Sequence, residues 1–297
     1  MGVVKPASID PSLREPPDTE TPVREEVGPV RSTAHMEISY ATKDLAQALK
    51  SWRIWALLGA NDIRQRYRRS TLGQFWITAS ITLLILGLGI IYSAIFQQPI
   101  EEYLPYVAAG FVVWSLITGM INEGCITFLE SEKYAKQLPV PLIVYPLRTL
   151  SRNLFTFAHN VFVLPFVWLI FFVPVNLSYL LAIPGLCLIA LNGLWMILLL
   201  GTLCTRFRDL PQIVSSSVQV AFFVTPVMFR SDQLPAAGRV AMDFNPFAAL
   251  LAVARDPLVG RIPSAIAYEV VIGMLLFGWA LALMVYGRYR TRIAYWL

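Results

Sequence analysis

The stretch NDIRQRYRRSTLGQFW, residues 61–76, sets Arg64, Arg66, Arg68 and Arg69 within about one and a half helical turns. An apolar run free of charge follows directly and ends at Phe96. Four guanidinium groups on so short a segment attract anions. Beside an apolar run of membrane length, the nearest anions are lipid headgroups. The cluster therefore reads, at minimum, as a headgroup-binding collar and a polar anchor that resists being drawn into hydrocarbon.

Nucleophilic, metal and nucleotide chemistry find no comparable footing. The chain has no GxxxxGK[ST] loop for ATP phosphates, no HExxH pair, no GxSxG elbow and no DxD-like acidic pair on a loop. His35 and His159 are its two histidines, which argues against a metal site. A proton-coupled pump needs ionisable groups inside the membrane, and His159 and Glu123 come nearest; His159 with Asn160 reads better as a helix–helix hydrogen bond. Cys125, Cys187 and Cys204 form no CxxC pair, and the last two fall in one apolar run where buried, inert thiols are expected. More suggestive is the segment from Pro211 onward. Gln212, Ser215, Ser216 and Gln219 share one helical face that Phe222, Phe223 and Pro226 continue, and Phe75, Trp76, Tyr92 and Phe96 mark the two ends of the first apolar run. Aromatic faces beside amides and hydroxyls suit sugar rings. The same residue types also glue helices and fill interfacial belts, so both readings stand on spacing alone.

The elements that position these residues are set by hydropathy. The 297-residue chain is 56% hydrophobic and 14% charged, against roughly 25% charged residues in a soluble domain, and its mean hydropathy is +0.59. This is a membrane protein. Its net charge of +5 comes from Lys and Arg gathered in the gaps between apolar runs rather than spread as a nucleic-acid-binding face. Six segments are long enough to cross a bilayer: residues 74–96, 103–122, 153–172, 178–204, 211–229 and 266–286. Basic residues precede the first span and fill the second-to-third loop, the fourth-to-fifth loop and the tail after the sixth span. QQPIEE and PVNL carry none. The positive-inside rule then places both termini in the cytoplasm. Residues 1–36, rich in proline and mixed charge, lack the apolar core of a signal peptide and read as a disordered tail; residues 37–297 form the membrane domain.

Four shorter helices are expected outside the spans. Lys43–Ala60 places Leu45, Leu49, Trp52 and Ala56 at helical spacing with Thr42 as N-cap, which suits an amphipathic helix lying in the interface. Asn61 and Asp62 are expected to interrupt it and to open a second short helix bearing the arginines, with Asp62 and Arg66 paired at i,i+4. Residues 127–137 mix Phe128 and Leu129 with Glu130, Glu132, Lys133, Tyr134 and Lys136, either as a solvated connector or as a docking helix. In FNPFAALLAVARDPLVG, Asn245 is a natural N-cap, Pro246 a first helical residue and Pro257 a stop. This gives a helix too short to span, hence re-entrant or superficial.

Three of these stretches together resemble one family: the membrane (permease) subunits of ABC transporters that export O-antigen, capsule, teichoic-acid or galactan polymers, carrying the ABC type-2 membrane domain. DIRQRYRRSTLGQFW, RDLPQIVSSSVQVAFFVTPVMF and FNPFAALLAVARDPLVG occur in order, on a six-span layout covering about residues 40 to 297. The resemblance implies an all-α membrane protein with six transmembrane helices, an N-terminal amphipathic interface helix and short re-entrant gate helices between spans five and six. It implies a homodimeric channel in the inner membrane of a bacterium, joined to two copies of a separate ATPase that carries ATP and Mg. This chain itself would need no cofactor, catalyse no reaction and bind no nucleic acid. By the same resemblance Glu130, Glu132, Lys133, Tyr134 and Lys136 belong to a coupling helix on the ATPase. Asn245, Pro246 and Arg255 belong to a gate helix, and Phe75, Trp76, Tyr92, Phe96, Ser216, Gln219, Phe222 and Phe223 line the pore. Arg64, Arg66, Arg68 and Arg69 would then receive the diphosphate of a polyprenyl-linked glycan, because guanidinium forks match phosphate oxygens. An exporter of drugs or simple lipids shares the fold, and a polyprenyl-phosphate glycosyltransferase or an assembly scaffold are the rivals from other classes. The acids Glu130, Glu132 and Asp209 do not converge by spacing, which disfavours the glycosyltransferase.

Overall fold

The structure is a computed structural model describing Gly2 and residues 34–297 apart from 72, 133–139, 175, 232 and 233, with side chains from residue 38 onward. Contacts divide the chain into Met1–Ser32 and Thr33–Leu297, and the described helices all belong to the second unit. Most of the tail expected at 1–36 lies outside the described residues; Ala34 already opens the first helix.

The described regular structure is helical. In chain order the helices are α1 (Ala34–Lys50), α2 (Trp52–Arg66), α3 (Phe75–Ile95), α4 (Ile100–Cys125), α5 (Thr127–Glu130), α6 (Val144–Val161) and α7 (Val163–Ile170). A 3-10 turn at Leu177–Leu181 leads into α8 (Ala182–Arg206), followed by α9 (Leu210–Val224), α10 (Ala236–Asp243), α11 (Pro246–Leu258) and α12 (Ala265–Trp296). Among the described residues five stretches are long and apolar enough to cross a membrane: α3, α4, α6 with α7, the 3-10 turn with α8, and α12. They run alternately up and down. The arginine-bearing end of α2, the start of α6 and the ends of α4, α8 and α12 therefore share one end of the bundle, here the arginine end.

The span expected at 211–229 is shorter than its hydropathy suggested. Helix α9 has 15 residues, about 22 Å at 1.5 Å per residue against a hydrocarbon core of about 30 Å. At Thr225 the backbone becomes extended (ψ 137°) and turns into Pro226. Irregular backbone at that depth is tolerated only where protein satisfies it. Here Tyr103 Oη donates to the Met228 carbonyl (2.7 Å) and Tyr106 Oη to those of Pro226 (3.2 Å) and Phe229 (3.0 Å).

Other boundaries also differ from expectation. Thr42 caps nothing: it lies inside α1, and its hydroxyl donates to the Ser39 carbonyl. The break between the two N-terminal helices falls at Ser51, so Asn61 and Asp62 sit within α2. Asp62 does not pair with Arg66, because Arg148 and Arg152 across the packing interface hold it instead. The third span begins earlier than expected, at Val144. Cys187 is exposed, while Cys125 and Cys204 are buried.

Helix α4 is almost wholly buried and forms the core, with Tyr103, Leu104, Val107, Val112, Leu116 and Ile117 all at 2% exposure or less. Small residues allow its neighbours to approach. A Cβ at Gly124 would sit 3.0 Å from the Ile197 Cα, which draws α4 onto α8. A Cβ at Gly59 would stand 3.0 Å from the Arg148 carbonyl oxygen and 3.1 Å from the Arg152 nitrogen, so α2 lies flush on α6. Helix α3, by contrast, leaves Leu83, Leu84, Leu86, Ile90, Ile91 and Ile95 exposed.

Candidate functional site

At the arginine end, the close approach at Gly59 brings the acid of α2 against the bases of α6. Arg148 grips Asp62 with two bonds, Nε to Oδ2 at 2.7 Å and Nη2 to Oδ1 at 2.6 Å, with both side chains largely buried. Arg152, 5% exposed, is the hub: Nε donates to Glu123 Oε2 (2.8 Å), and Nη1 donates to Glu130 Oε2 (2.9 Å) and Asp62 Oδ2 (3.4 Å). Asn153 adds a bond to Glu123 Oε2 (2.8 Å), and Arg66 Nη2 reaches Glu123 Oε1 (3.3 Å). Removing one partner from such a cluster strands a buried charge, so its members fix one another's positions. The network ties together α2, α4, α5 and α6. Sequence reading flagged Glu123, but it gave no sign of the part played by Asp62, Arg148 and Arg152. Two arginines four residues apart, facing the apolar side of a helix, were the available signal.

The four arginines of the collar part company. Arg66 turns to Glu123, while Arg64 lines a cavity of about 1060 Å³. Tyr67, Ser70, Thr71 and Gln74 form the cavity's polar side, and Phe75, Phe162 and Phe166 its apolar side. His159 also lines it, with Nε2 3.2 Å from Gln74 Oε1. Asn160 donates to Ser115 Oγ (3.2 Å), the interhelical bond its position suggested. Arg68 and Arg69 are exposed in the turn after α2. Of the residues expected in a coupling helix, Glu130 closes α5 and binds Arg152, and Glu132 is half-buried. Lys133, Tyr134 and Lys136 lie outside the described residues.

Helix α1 joins this end through α12. Asp44 accepts from Tyr286 Oη (3.2 Å) and pairs with Arg290 (3.0 Å), which stacks over the Tyr40 ring at 4.8 Å. The outward side of the N-terminal helices exposes Leu49, Trp52 and Leu57, as an interfacial helix requires.

At the opposite end, Asn245 caps α11 as expected, accepting from the Phe247 and Ala248 amides, with Pro246 first in the helix. Pro257 does not stop it; the helix runs one residue further, to Leu258, with Pro257 in its last turn. Arg255 is buried rather than displayed. It pairs with Asp256 (2.7 Å), stacks on the Tyr106 ring at 4.7 Å and donates to the Pro226 carbonyl. Burial alone would pull its pKa down, but Tyr106 and Asp256 turn the shift upward, so it stays charged. Arg255 thus clamps α11 and the turn after α9 onto α4.

The polar face expected on α9 divides. Gln212, Ser216, Gln219 and Phe223 are exposed; Ser215 and Phe222 turn partly inward and Pro226 is buried. Phe222 packs on Phe111 and Trp114, with ring centroids at 5.7 and 5.9 Å. Phe75 and Trp76 are exposed at the start of α3. At its other end Tyr92 and Phe96 pack together at 5.7 Å, and Phe96 meets Tyr103 at 6.0 Å.

Such a bundle, with a broken fifth apolar segment and a short helix folded back beside it, defines a class. The chain belongs to the ABC-2 type transporter family, which matches residues 53–259. It is therefore a multi-pass transport subunit of the bacterial inner membrane, not an enzyme, and the family works with a separate ATPase. Two O-antigen export system permease proteins (RfbA) of Klebsiella pneumoniae are similar to it. One is 24% identical over 199 residues, covering 66% of this chain and 76% of the relative. The other is 23% identical over 226 residues, covering 75% and 85%. A protein of the same description from Myxococcus xanthus is 24% identical over 200 residues, covering 64% and 74%.

Proposed function

We propose that this chain forms, as a homodimer, the channel through which a polyprenyl-diphosphate-linked polysaccharide of the O-antigen, teichoic-acid or galactan class leaves the cytoplasm. Two ATPase subunits drive it from the arginine end, which faces the cytoplasm, the side on which both termini lie by the positive-inside rule. The observation that carries this reading is the cavity beside Arg64. It joins a guanidinium, hydroxyls and an amide to an aromatic wall at the membrane boundary, which matches a ligand with an anionic head and an isoprenoid tail. The similarity to O-antigen permeases supports the glycan.

In this mechanism ATP-driven closure of the partner pushes the segment after Glu130. The push passes through Arg152 to α2 and α4, and α3 moves against α9 of the other protomer. The exposed Gln212, Ser216, Gln219 and Phe223 then offer sugar rings both hydrogen bonds and an aromatic face. Replacing Arg64 and Arg69 together by Gln should lower export of the lipid-linked polymer at least tenfold while labelling finds the topology intact; unaltered export would remove the diphosphate role.

A further inference from the structure

The export reading leaves open how an arriving lipid head is signalled to the ATPase. We propose that Arg66 is the sensor, and that Glu123 and Arg152 carry its state to Glu130. This rests on the diphosphate role of the collar but adds a linkage to it.

The argument lies in how Glu123 divides its oxygens. Oε1 accepts from Arg66 alone among the described contacts, and Oε2 accepts from Arg152 and Asn153. Arg152 in turn divides its donors between Glu123 and Glu130, at 2.8 and 2.9 Å, with Asp62 a more distant third acceptor at 3.4 Å. The side chain of Arg66 is 49% exposed, whereas that of Arg152 is 5% exposed. Arg66 is thus the member of the chain with half its side-chain surface open to a ligand, two positions along α2 from Arg64, which lines the cavity.

A diphosphate competes with Glu123 for Arg66, and its greater charge wins. Glu123, left with Arg152 and Asn153, pulls harder on Arg152, and the bond from Arg152 to Glu130 loosens. Glu130 closes α5 and opens the segment expected to meet the ATPase. Substrate binding therefore alters the tether of the coupling segment without any ligand contact there. By reciprocity, a state of that segment that holds Arg152 tightly weakens the grip of Glu123 on Arg66 and favours substrate.

Full-length protein in nanodiscs, titrated with farnesyl diphosphate, tests the first link. Glu123→Gln removes the competitor and should tighten the probe about two- to fivefold, the factor an ion pair of this exposure commands. The tightening should vanish in the Arg66→Gln background. A variant that merely misfolds would bind more weakly, so gain of affinity is diagnostic. The second link is read in the complex with its ATPase. Arg66→Gln frees Glu123 permanently and should raise basal ATP hydrolysis toward the substrate-stimulated rate while export falls. An Arg66→Gln complex with unchanged basal hydrolysis, or an Arg66-independent gain in Glu123→Gln, would overturn the linkage. If the unaltered protein binds farnesyl diphosphate and neither effect appears, the linkage fails and the export reading stands. If the unaltered protein ignores the probe, the diphosphate role itself is lost.

Discussion

Arg148 and Asp62 meet fork to carboxylate across 86 positions of chain, at 2.6 and 2.7 Å, and so hold the arginine-bearing helix against the third span. The pair is local in space and remote in sequence, as are the Arg255 clamp and the Asp44–Arg290 bridge. Each stakes the position of a segment on a guanidinium.

The Asp62 pair is buried enough that breaking one side should be costly. Asp62→Asn is expected to destabilise the fold by about 3 kcal/mol, the typical cost of an uncompensated buried charge. Asp62→Leu combined with Arg148→Met should recover much of it, as measured by reversible unfolding in detergent.

Gly59 has no room for a side chain. Gly59→Val should drive α2 off α6 and cost about 2 kcal/mol or more through overpacking. Cysteine labelling at Ile63, buried at 3% exposure, should then become fast; a site that stays protected would show that the interface can give.

Arg255→Lys keeps the charge but loses the planar stack on Tyr106 and the bond pattern to Pro226. The turn after α9 should become a site of rapid proteolysis, and stability should fall by about 2 kcal/mol. Retained protection would mean that Tyr103 and Tyr106 suffice to hold it.

Phe222 and Phe223 are adjacent yet should behave oppositely. Phe222→Ala removes a ring packed on Phe111 and Trp114 and should lower stability by about 2 kcal/mol. Phe223, 77% exposed, should lose export rather than stability on truncation. A polymer-export assay beside a melting curve separates the two.

The pattern of these residues shows what hydropathy can and cannot reveal. Continuous apolar runs made α3, α4, α8 and α12 legible, because length alone decides whether a helix crosses. Asn245 and Pro246 announced α11 through local cap chemistry. The α9 segment misled, since Thr225–Phe229 is as apolar as a span; Pro226 holds Thr225 extended, and Tyr103 and Tyr106, more than a hundred residues upstream, take up the carbonyls beyond the break. Thr42 looked like a cap because capping is read one turn at a time, whereas α1 extends through it. The collar arginines were plain as charges, but their division between Glu123 and the cavity depends on packing at Gly59, which no spacing rule encodes.

The bridge from Asp44 to Tyr286 and Arg290 has a bearing on biogenesis. Its halves lie 242 and 246 residues apart, a delay of about 12–50 s at ordinary ribosome speeds. The earliest of the described helices to emerge thus gains this bridge last, and until the final span is threaded it is held only by its neighbours α2 and α6. Translation arrested before Tyr286 would yield a bundle complete in its centre whose leading described helix lacks its anchor on the last span.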